Sequence, residues 1–217
     1  MVAVKQRPPA RKPRQELRQE QILDAAEQVV ADLGLTGCTM DRVAKAAGTS
    51  RPLVYVYYRD MHALMQAVAE RALLELEGRF EQAAASEKIG LRKVLAIGQA
   101  YVTFANEQPR RFAVLSMFEA QPPSADQDPQ QWQALMDVGC RVHAHTERAL
   151  RAGVDDGSIR PDLVNIDVLS KTLWAFVHGV LQLTRTKRAV IEYDGHTLDN
   201  FLQVSMDFAM QALVKRG

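Results

Sequence analysis

Cysteine is scarce in this 217-residue chain: only Cys38 and Cys140 occur, too few for a disulfide scaffold. They fall in segments read below as different domains, so both are expected to be free and reduced, with Cys140 packed inertly in a helix. Long apolar runs are missing as well. The longest stretches without Asp, Glu, Lys or Arg cover residues 94–106 and 172–184, each short of the ~18 residues that suggest a membrane span. No membrane partner is expected. Between Lys5 and Glu20 only Ala10 and Leu17 are ordinary apolar residues, so the apolar core of a secretory signal is lacking and a cytoplasmic location is expected. Glycine and proline number only 12 and 9, beside 47% hydrophobic and 24% charged residues. That balance excludes a disordered or collagen-like chain.

Signatures of catalysis and metal binding are also absent. There is no GxSxG, P-loop or dinucleotide fingerprint. His143 and His145 would point about 200° apart on a helix, and no carboxylate or thiol completes a ligand set. No catalytic residue, metal or cofactor is expected.

The net charge of +1 conceals a division. Residues 1–65 carry ten basic and seven acidic side chains, residues 66–217 seventeen and nineteen. The first 14 residues hold Lys5, Arg7, Arg11, Lys12 and Arg14, no acid, and Pro8, Pro9 and Pro13, which reads as a flexible basic arm over residues 1–13.

Helical periodicity begins next. Ile22, Ala25, Ala26, Val29, Val30 and Leu33 form one apolar stripe over about 14–33, stopped by Gly34. Thr39 can cap a short helix with Met40, Val43, Ala44 and Ala47 inward, and Gly48 can end it. Ser50 can cap another, with Pro52 tolerated in its first turn and Val54 and Tyr58 facing back. Asp60 can cap a long fourth helix carrying Leu64, Val68, Leu76 and Phe80. Further helical segments fall near 91–106 and 109–118, a Pro/Gln/Asp/Ser-rich loop at 121–130, then helices from Trp132 to about Gly153, 166–184 and 197–215. No alternating strand pattern and no repeat is present. The fold class is all-α.

Residues 39–58, TMDRVAKAAGTSRPLVYVYY, read as a helix-turn-helix whose small residues let two short helices cross closely. Its second helix can enter a major groove, which is about one helix wide. Arg51 can read guanine O6 and N7, Pro52 and Leu53 can touch thymine methyls, and Tyr55 and Tyr57 can donate to phosphates. An ordinary corner between two helices has the same spacing, but not this exposed set.

With ILDAAEQVVADLG at 22–34, TMDRVAKAAGTS, and LVYVYY followed by Leu64, the chain resembles the tetracycline-repressor-like (TetR) family of bacterial regulators. The resemblance implies a DNA-binding domain at 14–60 and a ligand-binding, dimerising domain at 61–217, joined by a long helix. It assigns phosphate contacts to Thr39, Tyr55 and Tyr57 and base reading to Arg51, Pro52 and Leu53, with Arg42, Ser50 and Arg59 completing the DNA-binding set. Met61 stands where many members place a phosphate-binding Lys; Arg59 or the arm would substitute.

LWAFVHGVLQL at 173–183 belongs to the divergent half. There, Tyr101, Phe104, Met117, Trp132, Met136, His143, Trp174 and His178 are candidate effector contacts, although such a stripe is more often plain core. Helices apolar around most of their circumference need covering on more than one side, so Leu173, Val177, Val180, Phe201, Val204 and Phe208 are the expected dimer interface. The functional expectation is a homodimeric repressor, released from a near-palindromic duplex operator by a small, mostly apolar effector. A helical ligand-binding protein without DNA binding and an all-α enzyme are the competing classes.

Overall fold

The computed structural model describes residues 14–118, 129–163, 165–193 and 195–214. The expected arm at 1–13 lies outside them, as does most of the expected loop at 121–130. Among the described residues there are ten helices and no strand: α1 (Arg14–Gly37), α2 (Met40–Ala46), α3 (Arg51–Tyr57), α4 (Met61–Ala85), α5 (Gly90–Glu107), α6 (Pro109–Met117), α7 (Pro129–Asp155), α8 (Ile166–Thr186), α9 (Arg188–Tyr193) and α10 (Leu198–Gln211). None is long and apolar enough to cross a membrane.

The first three helices follow their punctuation. Gly34 takes φ 73°, ψ 174° and breaks the helical geometry of α1, leaving a last turn before α2. Thr39 Oγ1 accepts from the Arg42 amide at 3.3 Å at the start of α2, and Gly48 turns the chain at φ 61°. Asp60 Oδ1 accepts from the Ala63 amide at 2.7 Å and starts α4. Each cap satisfies one of the donors that a helix N-terminus leaves without an intrahelical partner.

Two cores share α4. Its first half, with Leu64, Met65 and Val68, packs with Ile22 and Val30 of α1, Val43 of α2 and Val54 of α3. Its second half, with Leu76 and Phe80, packs with α5, α7 and α8 through Ile97, Phe104, Val142 and Leu181. The first core also takes in Val114 of α6 and Leu135 of α7, so both helices reach back to the helix-turn-helix.

Three expectations need correction. Val177 and Val180, assigned to a subunit interface, are buried within the chain, and Val177 joins the second core with residues of α5 and α7. Cys140 is exposed rather than packed, and only Cys38 is buried; both are free. The short helix α9 falls in a stretch where no helix was expected, and none of its six residues is buried.

Candidate nucleic-acid interface and ligand cavity

Val54, fully buried, and Tyr58 anchor α3 against α1, α2 and α4. This leaves Arg51, Pro52, Tyr55 and Val56 exposed on its outer face, while Leu53 and Tyr57 are half-buried. Ser50 occupies the N-cap position in extended backbone, but its side chain makes no capping bond. The Arg51 guanidinium donates to Asp41 Oδ2 and to the Tyr55 hydroxyl, both at 3.2 Å, and lies 5.4 Å from the Tyr55 ring centroid. Asp41 was not singled out from sequence, since ten residues of separation marks no helical neighbour.

The other assigned cations are less available. Arg42 Nη1 donates to the Gly37 carbonyl at 2.6 Å and ties α1 to α2. Arg59 pairs with Asp60 at 3.1 Å. Met61 packs partly buried against the first core. Thr39 is exposed and retains its hydroxyl proton while accepting the capping bond.

The regulatory half holds a narrow, partly open apolar cavity of about 50 Å³. Its walls include Tyr101 of α5, His143 and Thr146 of α7, Trp174 of α8, and Met206 and Met210 of α10. Sequence reasoning thus reached Tyr101, His143 and Trp174. Leu173 and Val177, assigned to the dimer interface, also line it. His178 stands beside the cavity with Nδ1 2.8 Å from the Tyr101 hydroxyl. Phe104 is fully buried and stacks on Tyr101 with centroids 6.5 Å apart.

Met117, Trp132 and Met136 are not in this cavity. Met136 packs against the first core, and Met117 is exposed. The reason is length: the eleven residues from Trp132 to His143 advance roughly 16 Å along a helix, so one continuous face of α7 passes from one core to the other. Met206 and Met210 of α10 were not singled out from sequence.

The rings at the cavity are held neutral. Burial pushes the Tyr101 phenol up, while the Trp174 indole acts in the other direction. Burial lowers the His178 imidazole, and burial together with Lys171 lowers that of His143. Trp174 meets His143 edge-on at 5.4 Å between centroids and His178 at 5.5 Å.

A chain of rings and charges connects this region to the helix-turn-helix. Phe112 of α6 lies 5.3 Å from His178 and 5.9 Å from Tyr101, centroid to centroid. The preceding residue, Arg111, donates to Glu27 of α1 at 3.1 Å and pairs with Glu75. Glu27 also accepts from Arg71 of α4 at 2.5 Å, and Arg71 reaches Asp24 at 2.8 Å. Glu27 is only 5% exposed. Glu27 was not singled out from sequence, because no local spacing announces partners on α4 and α6.

A recognition helix presented outward, on a body whose apolar cavity abuts the helices that support it, defines the class of one-component DNA-binding regulators. The description "Bacterial regulatory proteins, tetR family" matches residues 22–68, and "Tetracyclin repressor-like, C-terminal domain" matches residues 94–207. The chain belongs to the TetR family. Among curated proteins it is similar to the HTH-type transcriptional regulator YobS of Bacillus subtilis, 32% identical over 45% of this chain and 50% of that protein. It thus spans about half the length of that relative. The HTH-type transcriptional repressor KstR2 of Mycolicibacterium smegmatis is 24% identical over 74% of this chain and 78% of its own. Among solved structures, the transcriptional regulator FadR from Bacillus subtilis in complex with stearoyl-CoA superimposes with a TM-score of 0.69 at 14% identity, covering 89% of this chain and 98% of that one.

Proposed function

We propose that the protein is a homodimeric transcriptional repressor that reads a near-palindromic duplex through α3 and leaves it when a small, mostly apolar effector occupies the cavity. The carrying observation is the outer face of α3, where Arg51, Pro52, Tyr55 and Val56 stand exposed while Val54 fixes the helix from behind. Residues 14–60 form the DNA-binding domain and residues 61–217 the regulatory domain, with α4 common to both cores. Family membership and the likeness to a relative named as a repressor support the reading.

Arg51 exchanges Asp41 and Tyr55 for a guanine edge on binding, while Thr39, Ser50, Tyr55, Tyr57 and Arg59 meet phosphates. Arg51→Ala is expected to cost ~1–3 kcal/mol at one operator position and to relax the preference there. Fluorescence anisotropy on single-base variants of a duplex selected from a random pool measures this. Equal weakening on every sequence would make Arg51 a phosphate contact only.

The dimer is formed by the outer faces of α8 and α10. Val204 and Phe208 are 57% and 63% exposed, and Phe208 meets Phe176 at 6.0 Å between ring centroids. Phe201 flanks them on α10. Burial of such a patch against a second copy is favourable by the apolar area removed from water. Phe208→Glu is expected to give monomers in sedimentation velocity under conditions where the wild type is a dimer, since a charge unpaired at a buried interface is costly. An unchanged dimer would place the interface elsewhere.

A further inference from the structure

We propose that the cavity selects an uncharged effector: a hydrocarbon body bearing one hydroxyl or carbonyl, and neither a carboxylate nor an amine. The inference rests on the reading of this cavity as the effector site and adds the ligand's charge class. Among the described residues, no Lys, Arg, Asp or Glu lines the cavity. Cations beside the surrounding aromatic cluster are already engaged. Arg79 lies over the Phe104 ring at 5.6 Å while bonding Glu75 and Glu107 at 2.8 and 2.7 Å. Arg185 lies over the Phe112 ring at 4.8 Å and donates to the Ala105 carbonyl. Lys171 pairs with Glu147 at 3.7 Å. A carboxylate brought into the cavity would lose its hydration with no ion to replace it, and an ammonium would find no carboxylate.

The polar groups that do line the walls suit a neutral hydrogen-bonding group. His143 and Thr146 lie three residues apart on α7 and so project from one face of it. Val94 and Ile97 of α5 and Met206 and Met210 of α10 offer only hydrocarbon and thioether, and the one hydroxyl on the α5 wall, that of Tyr101, is already engaged with His178 Nδ1 at 2.8 Å. The hydroxyl or carbonyl therefore faces α7 and the hydrocarbon faces α5 and α10. At about 50 Å³ the space is far below the ~300 Å³ of a typical ligand pocket, so occupation requires a wall to yield. The two methionines are the walls best able to do so, being unbranched with three rotatable side-chain bonds, and α10 carries Ala209 as its one buried residue.

The test uses full-length protein carrying Trp132→Phe, so that Trp174 is the single indole, titrated at pH 7 with 1-octanol, octanoate and octylammonium. Indole emission and calorimetry report binding. Octanol should bind at least about tenfold more tightly than either ion, the equivalent of one unpaired charge partly desolvated. His143→Arg should reverse the order and favour octanoate. Octanoate or octylammonium binding as well as octanol to the His143 protein would overturn the charge class while leaving the cavity as the effector site. If no probe perturbs Trp174, or if His143→Arg leaves the order unchanged while probes bind, binding does not occur at this cavity and the effector-site reading itself fails.

Discussion

Glu27→Gln should lower the stability of the protein by about 2–3 kcal/mol, read as a fall of roughly 5–10 °C in Tm for a chain of this length. Glu27 is almost wholly buried, and among the described residues its carboxylate is the only acceptor that Arg71 of α4 and Arg111 of α6 share. Glutamine keeps the shape but removes the charge and replaces one acceptor oxygen with a donor facing two guanidiniums. The loss is smaller than that of a fully orphaned buried pair, because Arg71 retains Asp24 and Arg111 retains Glu75. The effect should persist at high salt, since a buried cluster is poorly screened. Thermal unfolding followed by circular dichroism measures it, and a Tm equal to that of the wild type would show that the cluster contributes nothing net. The same variant should also loosen α1 from α6 and so weaken communication between cavity and DNA.

The residues that proved legible in sequence were those whose role is local. Thr39, Gly48 and Asp60 act within one turn of helix, and the stripe Ile22 to Val30 repeats at helical spacing, so the helix-turn-helix is legible in the sequence alone. Helix existence in the other half was legible for the same reason. What each face of those helices meets was not. Val177 and Phe208 are both apolar residues on terminal helices, yet one joins a core and the other is left uncovered by its own chain, and only the packing of the helices separates them. Leu135 and Val142 share a face of α7 but belong to different cores. Glu27 finds its partners 44 and 84 residues along the chain, a distance at which periodicity carries no information.

Occupancy of the cavity should lower operator affinity about 5- to 150-fold, the range given by coupling free energies of ~1–3 kcal/mol. The geometry supplies a route with two branches. Phe80 of α4 lines the cavity, while the first turn of the same helix packs with α3 in the first core. Tyr101 touches Phe112 of α6, whose neighbour Arg111 grips Glu27 of α1. A ligand that displaces Tyr101, Met206 and Met210 therefore moves the supports of α3 from both sides. In a dimer that movement changes the spacing of the two recognition helices, which must match half-sites set by the helical repeat of the duplex. The ligand can release DNA only by as much as it prefers the mismatched spacing. Linkage makes the factor reciprocal. The decisive measurement is a calorimetric titration of a cavity-binding compound, identified by its effect on Trp174 emission, into the protein alone and into its complex with the selected duplex. Affinity for the compound should fall in the complex by the same factor by which the compound weakens DNA binding; equal affinities in the two titrations would contradict a ligand-released repressor and leave the cavity without a regulatory role.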